Sequence, residues 1–196
     1  MKTFNALHKY KVLKLFTLVL VMSWHSVFIS QAFAGSHSQS WIKRVSDNMT
    51  NILQNGNWDI YITGYGWHGR GYSTQRRHEL NQFSYGGGFG KSLVDENGNQ
   101  NLLYGFVFSD SHHKPQPIIG YGKQWFKKIS CLLSLGAGYT AAITSRTDIL
   151  SGIPVPVVLP VFSIKVSKVS LMGTFLPKLS SVNKGDVLFV WGRIEF

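Results

Sequence analysis

After Gly56 the apolar residues of this chain recur at every second position, and that period limits the fold more than any other feature. Eight segments carry it, at about 58–70, 81–93, 101–110, 117–127, 130–145, 153–164, 166–177 and 186–196. They are rich in Tyr, Phe, Trp, Val and Ile, the residues that suit a pleated surface. The last segment is the most informative. Leu188, Val190, Gly192, Ile194 and Phe196 form a face with no polar side chain, while Arg193 and Glu195 stand on the other with Val187, Phe189 and Trp191. A soluble sandwich would place the charged pair in water. A transmembrane β-barrel would turn it inward and give the apolar row to lipid. The even strand number and a chain ending on Phe196 favour the barrel. Closure also removes the unpaired edges that such an aromatic sheet would expose.

The N-terminus supplies the compartment. Lys2, Lys9, Lys11 and Lys14 precede the apolar run from Leu15 to Met22, and Ala32-Phe33-Ala34 has the form of a cleavage site. Residues 1–34 are therefore expected to be a cleaved signal peptide. No later stretch offers about 20 consecutive apolar residues, so no membrane helix is expected. Residues 35–57 are expected to hold a short amphipathic helix capped by Ser40 and stopped by Gly56, with Trp41, Ile42, Val45, Met49, Ile52 and Leu53 at helical spacing. Such a helix suits either a protein surface or a membrane interface. Residues 58–196 form the barrel. The net charge is +11, yet charged residues are only 15% and aromatics reach 14%. That balance suits an anionic lipid surface better than nucleic acid. With one cysteine, Cys131, no internal disulfide is possible.

Strand parity places the loops. With the helix and Phe196 on one side, the turn Asp95-Glu96-Asn97-Gly98-Asn99 falls on that same side, and Asn-Gly is a strong hairpin signal. Loops near 71–80, 111–116, 146–152 and 180–185 fall on the other. His68, Asp110, Ser111 and Arg146 then share one rim. A histidine at a strand end is more often structural, and Asp-Ser is a common turn start; a Ser/His/Asp trio is recognised by geometry. His78, His112 and His113 lack the spacing of a metal site, so no metal is expected. Gly90-Lys91-Ser92 ends like a P-loop, but Tyr85 replaces the required glycine and a turn follows, so it reads as strand. Arg70, Arg76, Arg77, Lys114 and Arg146 make the rim basic, a property that suits phosphate. Pro154, Pro156, Pro160 and Pro177 interrupt the ladder donors of the sixth and seventh strands, marking either a weak wall or loop ends.

Several stretches together resemble the PagP-type lipid A palmitoyltransferases of Gram-negative outer membranes. They are Trp58-Asp59-Ile60-Tyr61-Ile62, Trp67-His68, Gly86-Gly87-Gly88-Phe89-Gly90, Phe108-Ser109-Asp110-Ser111, Pro117-Ile118-Ile119-Gly120-Tyr121-Gly122, the proline-rich run 153–160 and Val190-Trp191-Gly192-Arg193. The resemblance spans Trp41 to Phe196. It implies an eight-stranded outer-membrane barrel with a periplasmic helix. The implied reaction transfers palmitate from the sn-1 position of a phospholipid to a lipid A hydroxyl, promoting resistance to cationic antimicrobial peptides. It implies no cofactor and a monomer or weak homodimer, with the site facing the cell exterior. His68, Asp110 and Ser111 match the family's essential side chains, Gly122 the floor of its acyl pocket, and Pro160 with Pro177 a lateral gate. A second proline pair of the family is replaced by Thr63 and Ser84, and His112 with His113 replace a Trp-containing stretch.

On this reading His68 is a general base, Asp110 orients its imidazole, and Ser111 is an oxyanion donor or a nucleophile. A non-enzymatic barrel, adhesin or structural, explains the strands but gives Asp110-Ser111 no purpose. A soluble periplasmic lipid-binding barrel requires the face ending at Phe196 to be covered.

Overall fold

The computed structural model describes residues 37–146, 152–178 and 185–196. The expected signal peptide lies outside them, as do the loop tips at 147–151 and 179–184. The chain divides into two compact units, Met1–Asn48 and Met49–Phe196. Helix α1 spans His37–Asn55. It starts before Ser40, which therefore lies inside the helix and does not cap it. Its end is as expected: the Gly56 amide bonds the Ile52 carbonyl at 2.9 Å. A Cβ on Gly56 would run into that carbonyl, so a side chain is excluded there.

The second unit is a closed antiparallel barrel of eight strands, each paired with its sequence neighbours and the last with the first. The strands are β1 (Asn57–His68), β2 (Phe83–Val94), β3 (Gln100–Ser109), β4 (Pro115–Lys128), β5 (Leu133–Thr144), β6 (Val155–Val166), β7 (Val169–Leu176) and β8 (Val187–Glu195). The Gly90-Lys91-Ser92 segment lies within β2. The first long loop carries a short helix, α2 (Thr74–Glu79), that periodicity did not indicate; the Ser73 hydroxyl caps it by accepting from the Arg76 amide. The Asp95–Asn99 turn is a tight hairpin with Gly98 at φ 79°. Both Asp95 carboxylate oxygens accept bonds there.

Exposure inverts the pattern of a soluble barrel. Ile119, Val158, Phe83 and Phe89 are more than 60% exposed on the outer wall, while Arg193 and Asp59 are fully buried inside. Exposed aromatics ring both ends, with Trp58, Trp125 and Phe196 at one and Tyr65, Trp67 and Tyr85 at the other. This is the surface of a barrel in lipid, flanked by interfacial girdles. β8 shows the alternation read from its sequence, with Arg193 and Trp191 inward.

The interior is layered. At the end where β1 begins and β8 finishes, a polar floor closes the lumen: Asp59, Ser92, Gln100, Gln124, Ser163, Ser170 and Arg193 are all buried. Arg193 bonds Asp59 at 3.0 Å, Gln100 at 2.7 Å, Ser92 at 3.3 Å and Glu195 at 2.8 Å. Lys165 adds a 3.1 Å bond to Glu195. Above the floor runs an aromatic column of Tyr61, Tyr104, Phe106, Trp191, Phe189 and Phe108, with neighbouring centroids 4.7–6.3 Å apart. The column leads to the rim where β1 ends.

Removing one partner of a buried ion pair strands the other's charge. Arg193→Leu is therefore expected to destabilise the barrel by about 3–5 kcal/mol, seen as a lower urea midpoint in detergent micelles. Adding Asp59→Leu should restore part of that loss.

Candidate active site at the barrel rim

The strands place His68, Ser111 and Asp110 together. Along β1 the inward residues are Asp59, Tyr61 and Thr63, then Gly66 and His68. Strict alternation from Asp59 would turn His68 outward to lipid. A bulge between Thr63 and Tyr65 interrupts the pairing of β1 with both β2 and β8 and resets the phase. One extra residue in a strand re-aims every side chain beyond it. A glycine inside a strand pattern is the sequence signal for such a bulge, and Gly64 supplies it.

Ser111 sits in the tight turn between β3 and β4. The Asp110 amide bonds the Lys114 carbonyl at 2.8 Å, and His113 takes the left-handed conformation at φ 59°. The Asp110 carboxylate holds this turn: its Oδ1 accepts from the His112 and Lys114 amides, both at 2.8 Å. Ser111 Oγ is 2.8 Å from His68 Nε2. The three predicted residues are thus adjacent, but Asp110 supports the loop that presents Ser111. Among the described residues its Oδ2 is buried without a hydrogen-bond partner, and no bond joins it to the imidazole.

Sequence reasoning missed two supports. Asn81 is buried and clamps the β3 end: its amide bonds the Ser111 carbonyl at 2.9 Å. Its Nδ2 bonds Ser109 Oγ and the Asp110 carbonyl, each at 3.1 Å. Asn is common in turns for its local bonding, which gave no hint of this longer reach. Tyr72 meets the His68 ring edge-on at 5.2 Å. A Cβ on Gly185 would overlap the Tyr72 ring, so glycine there makes room for it.

The basic residues line the same end. Arg146 follows β5 and His112 lies in the Ser111 turn, both at the His68 end of the barrel. Arg76 pairs with Glu79 at 2.9 Å. Arg70 is almost wholly exposed and 4.0 Å from Asp186, a pair that solvent screens. Arg77 is half-buried and Lys114 exposed. His78 is exposed on α2.

Gly122 faces inward beside Leu102; a Cβ built on it would stand 3.3 Å from Leu102 Cδ1. Gly122 lines a pocket with Tyr61, Leu102, Tyr104, Gln124, Tyr139, Thr140, Val161, Met172 and Trp191. Pro160 lies on the outer face of β6 and Pro177 just past β7. The β6–β7 ladder ends at Phe162 and Gly173, while β5–β6 and β7–β8 continue to the rim. Above that point Thr174 Oγ1 donates to the Pro160 carbonyl at 2.7 Å, a side-chain bond where ladder bonds have stopped. At Thr63 and Ser84 the wall stays closed: Tyr65 pairs with Phe83, and the Gly66 amide bonds the Gln82 carbonyl at 2.8 Å.

Comparison with known proteins gives a consistent result. The family described as "Antimicrobial peptide resistance and lipid A acylation protein PagP" matches residues 48–193. The Lipid A acyltransferase PagP of Bordetella pertussis is 40% identical over 158 residues, covering 80% of this chain and 86% of that protein. The protein of the same name from Methylobacillus flagellatus is 36% identical over 80% of this chain and 85% of its own length. The Lipid A palmitoyltransferase PagP of Escherichia coli is 33% identical over 96% of this chain and 98% of that protein.

The bulge makes a separable prediction. Deleting Trp67, which keeps the bulge and removes one residue beyond it, should turn His68 to the lipid side, whereas Gly64→Ala should not, because a Cβ there meets only the Val190 carbonyl at 3.8 Å. A lipid-soluble spin label should broaden the His68 NMR signals in the deletion variant alone.

Proposed function

This chain belongs to the PagP family of outer-membrane lipid A acyltransferases, and we propose that it moves a palmitoyl chain from the sn-1 position of a phospholipid to a lipid A hydroxyl at the rim carrying His68. The observation that carries the assignment of residues is the 2.8 Å contact between His68 Nε2 and Ser111 Oγ at the mouth of an apolar, aromatic-lined interior. A base in contact with a hydroxyl, above an apolar interior, suits acyl transfer between lipids.

In this reading His68 takes the proton of the lipid A hydroxyl. The resulting oxygen attacks the donor's ester carbonyl, and Ser111 Oγ–H donates to the oxyanion. Collapse expels the lysophospholipid oxygen, which recovers the proton from His68. The donor ester already stores the acyl group, so no cofactor is required. Asp110 acts through the turn, holding Ser111 against His68. The contact distance favours a second reading in which Ser111 is the nucleophile and an acyl-enzyme precedes lipid A attack. Incubation with phospholipid alone distinguishes the two. An acyl-sized gain in intact protein mass, lost in Ser111→Ala, would establish the acyl-enzyme.

The connections support an orientation: β6–β7 is the shortest, at the end where β1 begins, and the three longest, β1–β2, β5–β6 and β7–β8, are all at the His68 end, as periplasmic and external ends are. We place the His68 rim outside the cell and α1 in the periplasm, after removal of residues 1–34. Arg70, Arg76, Arg77, Lys114 and Arg146 then face the phosphates of lipid A, where Arg pairs well. The site is complete in one chain, which supports a monomer or at most a weak homodimer. The donor chain passes between β6 and β7 beside Pro160 and Pro177. The acceptor arrives from the rim, since the wall at Thr63 and Ser84 is hydrogen-bonded shut. The modified lipid A would promote resistance to cationic antimicrobial peptides.

Lipid A mass spectrometry of expressing cells should show a palmitate-sized increment. His68→Ala and Ser111→Ala should lower it by about 10²- to 10⁴-fold; unchanged spectra would remove both from the chemistry. Asp110→Asn keeps an acceptor for the two turn amides and should retain more activity than Asp110→Ala. Equal losses would show that the charge itself is needed. Gly122→Met should move donor choice to shorter chains, while unaltered palmitate use would take Gly122 off the pocket floor.

A further inference from the structure

Some polar groups around the pocket are satisfied. Tyr104 Oη and Thr140 Oγ1 share a 2.6 Å bond, and Thr140 Oγ1 donates to the Tyr121 carbonyl at 3.0 Å. Three are not. Among the described residues Tyr61 Oη, Gln124 Nε2 and Trp191 Nε1 are buried with no hydrogen-bond partner, and all three residues line this pocket. Gln124 is anchored: its Oε1 accepts from Ser163 Oγ at 3.0 Å, which leaves the amide nitrogen as its unused group. Gln124 also belongs to the polar floor, so the pocket's deep end is where hydrocarbon would meet hydrogen-bond donors. Phe and Leu would fill nearly the same volume at Tyr61 and Gln124 without stranding a donor. Buried unsatisfied groups are rare and each calls for a physical reason.

We infer that Tyr61, Gln124 and Trp191 form a polar end-stop that sets the length of acyl chain the pocket accepts, with Gln124 its principal specificity-determining residue. This rests on the acyl-transfer reading given above. A methyl terminus pushed against these donors seals them from any acceptor, and the desolvation cost cancels the gain from burying the last methylenes. A chain that stops short leaves the donors room for a water, which needs polar partners of this kind. The stop is thus chemical as well as steric, and it differs from Gly122, which acts by the space its missing side chain leaves. A purely steric floor is indifferent to an exchange that keeps volume and removes polarity. A polar end-stop is not.

The test uses Gln124→Leu and Tyr61→Phe in the full mature chain, refolded in detergent, with heat-modifiable gel mobility reporting barrel formation. Each protein receives an equimolar mixture of dimyristoyl, dipalmitoyl and distearoyl phosphatidylcholine with lipid A, and the acyl products are weighed by mass. The expected result is a rise of about tenfold in stearoyl over palmitoyl transfer for Gln124→Leu, since two more methylenes can be buried. Tyr61→Phe should move the same ratio in the same direction by a smaller factor. Unchanged ratios in both folded variants overturn the end-stop. If the unsubstituted protein transfers no acyl chain, the transferase reading fails instead. Thermal stabilisation by myristoyl, palmitoyl and stearoyl lysophosphatidylcholine then reads the pocket directly. A preferred length that increases in Gln124→Leu upholds the stop, and an unmoved preference overturns it.

Discussion

The barrel depends on one seam, the pairing of β1 with β8. Sequence-adjacent strands meet through short connections, but β1 and β8 are brought together across the whole domain, from Asp59 opposite Glu195 to His68 opposite Val187. Lipid offers no partner to an unpaired backbone group, so this seam must close completely. Arg193 reinforces it from inside. One guanidinium on β8 reaches β1 through Asp59, β2 through Ser92 and β3 through Gln100. Its bonds therefore join four strands at the level where the lumen is plugged. A fork of donors held by several acceptors suits arginine and would be lost with lysine.

The same seam carries the phase change that makes the rim chemical. Below Gly64 β1 presents odd-numbered residues to the interior, and above it even-numbered ones. Asp59 can thus serve the floor and His68 the rim on one strand, although they lie nine positions apart and strict alternation would put them on opposite faces. The site follows from two local devices: a bulge that aims His68 inward, and an Asp110 turn that folds Ser111 over the mouth. Asn81 joins them by holding the Ser109–Ser111 backbone from the β2 side.

Much of this was legible in the residues. Period-two alternation located all eight strands, because a strand with lipid on one face and packed interior on the other has no freedom to slip by one residue. Inward Arg193 and the hairpin at Asn97-Gly98 followed from the same logic. Parity brought His68, Asp110 and Ser111 to one end. What parity cannot see is a change of parity, so the inward aim of His68 rested on Gly64, one glycine among many. The role of Asp110 was equally hidden. An Asp-Ser pair is compatible with orienting an imidazole or with capping a turn, and only the positions of the His112 and Lys114 amides decide for the turn. Helix α2 escaped because its six residues carry no apolar stripe. Asn81 escaped because its partners lie 28 and 29 residues away.

On the proposed reaction, closure also bears on where a lipid substrate would pass. The polar floor blocks one end of the lumen, so a donor chain would enter through the wall. Every ladder bond opened in lipid leaves donors and acceptors without partners. The least costly place is one where the ladder has already ended. Between β6 and β7 it ends at Phe162 and Gly173, and Pro160 has no N–H to lose. Thr174 satisfies the Pro160 carbonyl with a hydroxyl, which can rotate away without unpairing a strand. At Thr63 and Ser84 the opposite holds, because opening that wall would break the Gly66–Gln82 backbone bond. A wall that must be sealed against water-like defects thus has its weak point where a proline and a threonine replace ladder bonds, on the side that leads into the aromatic column.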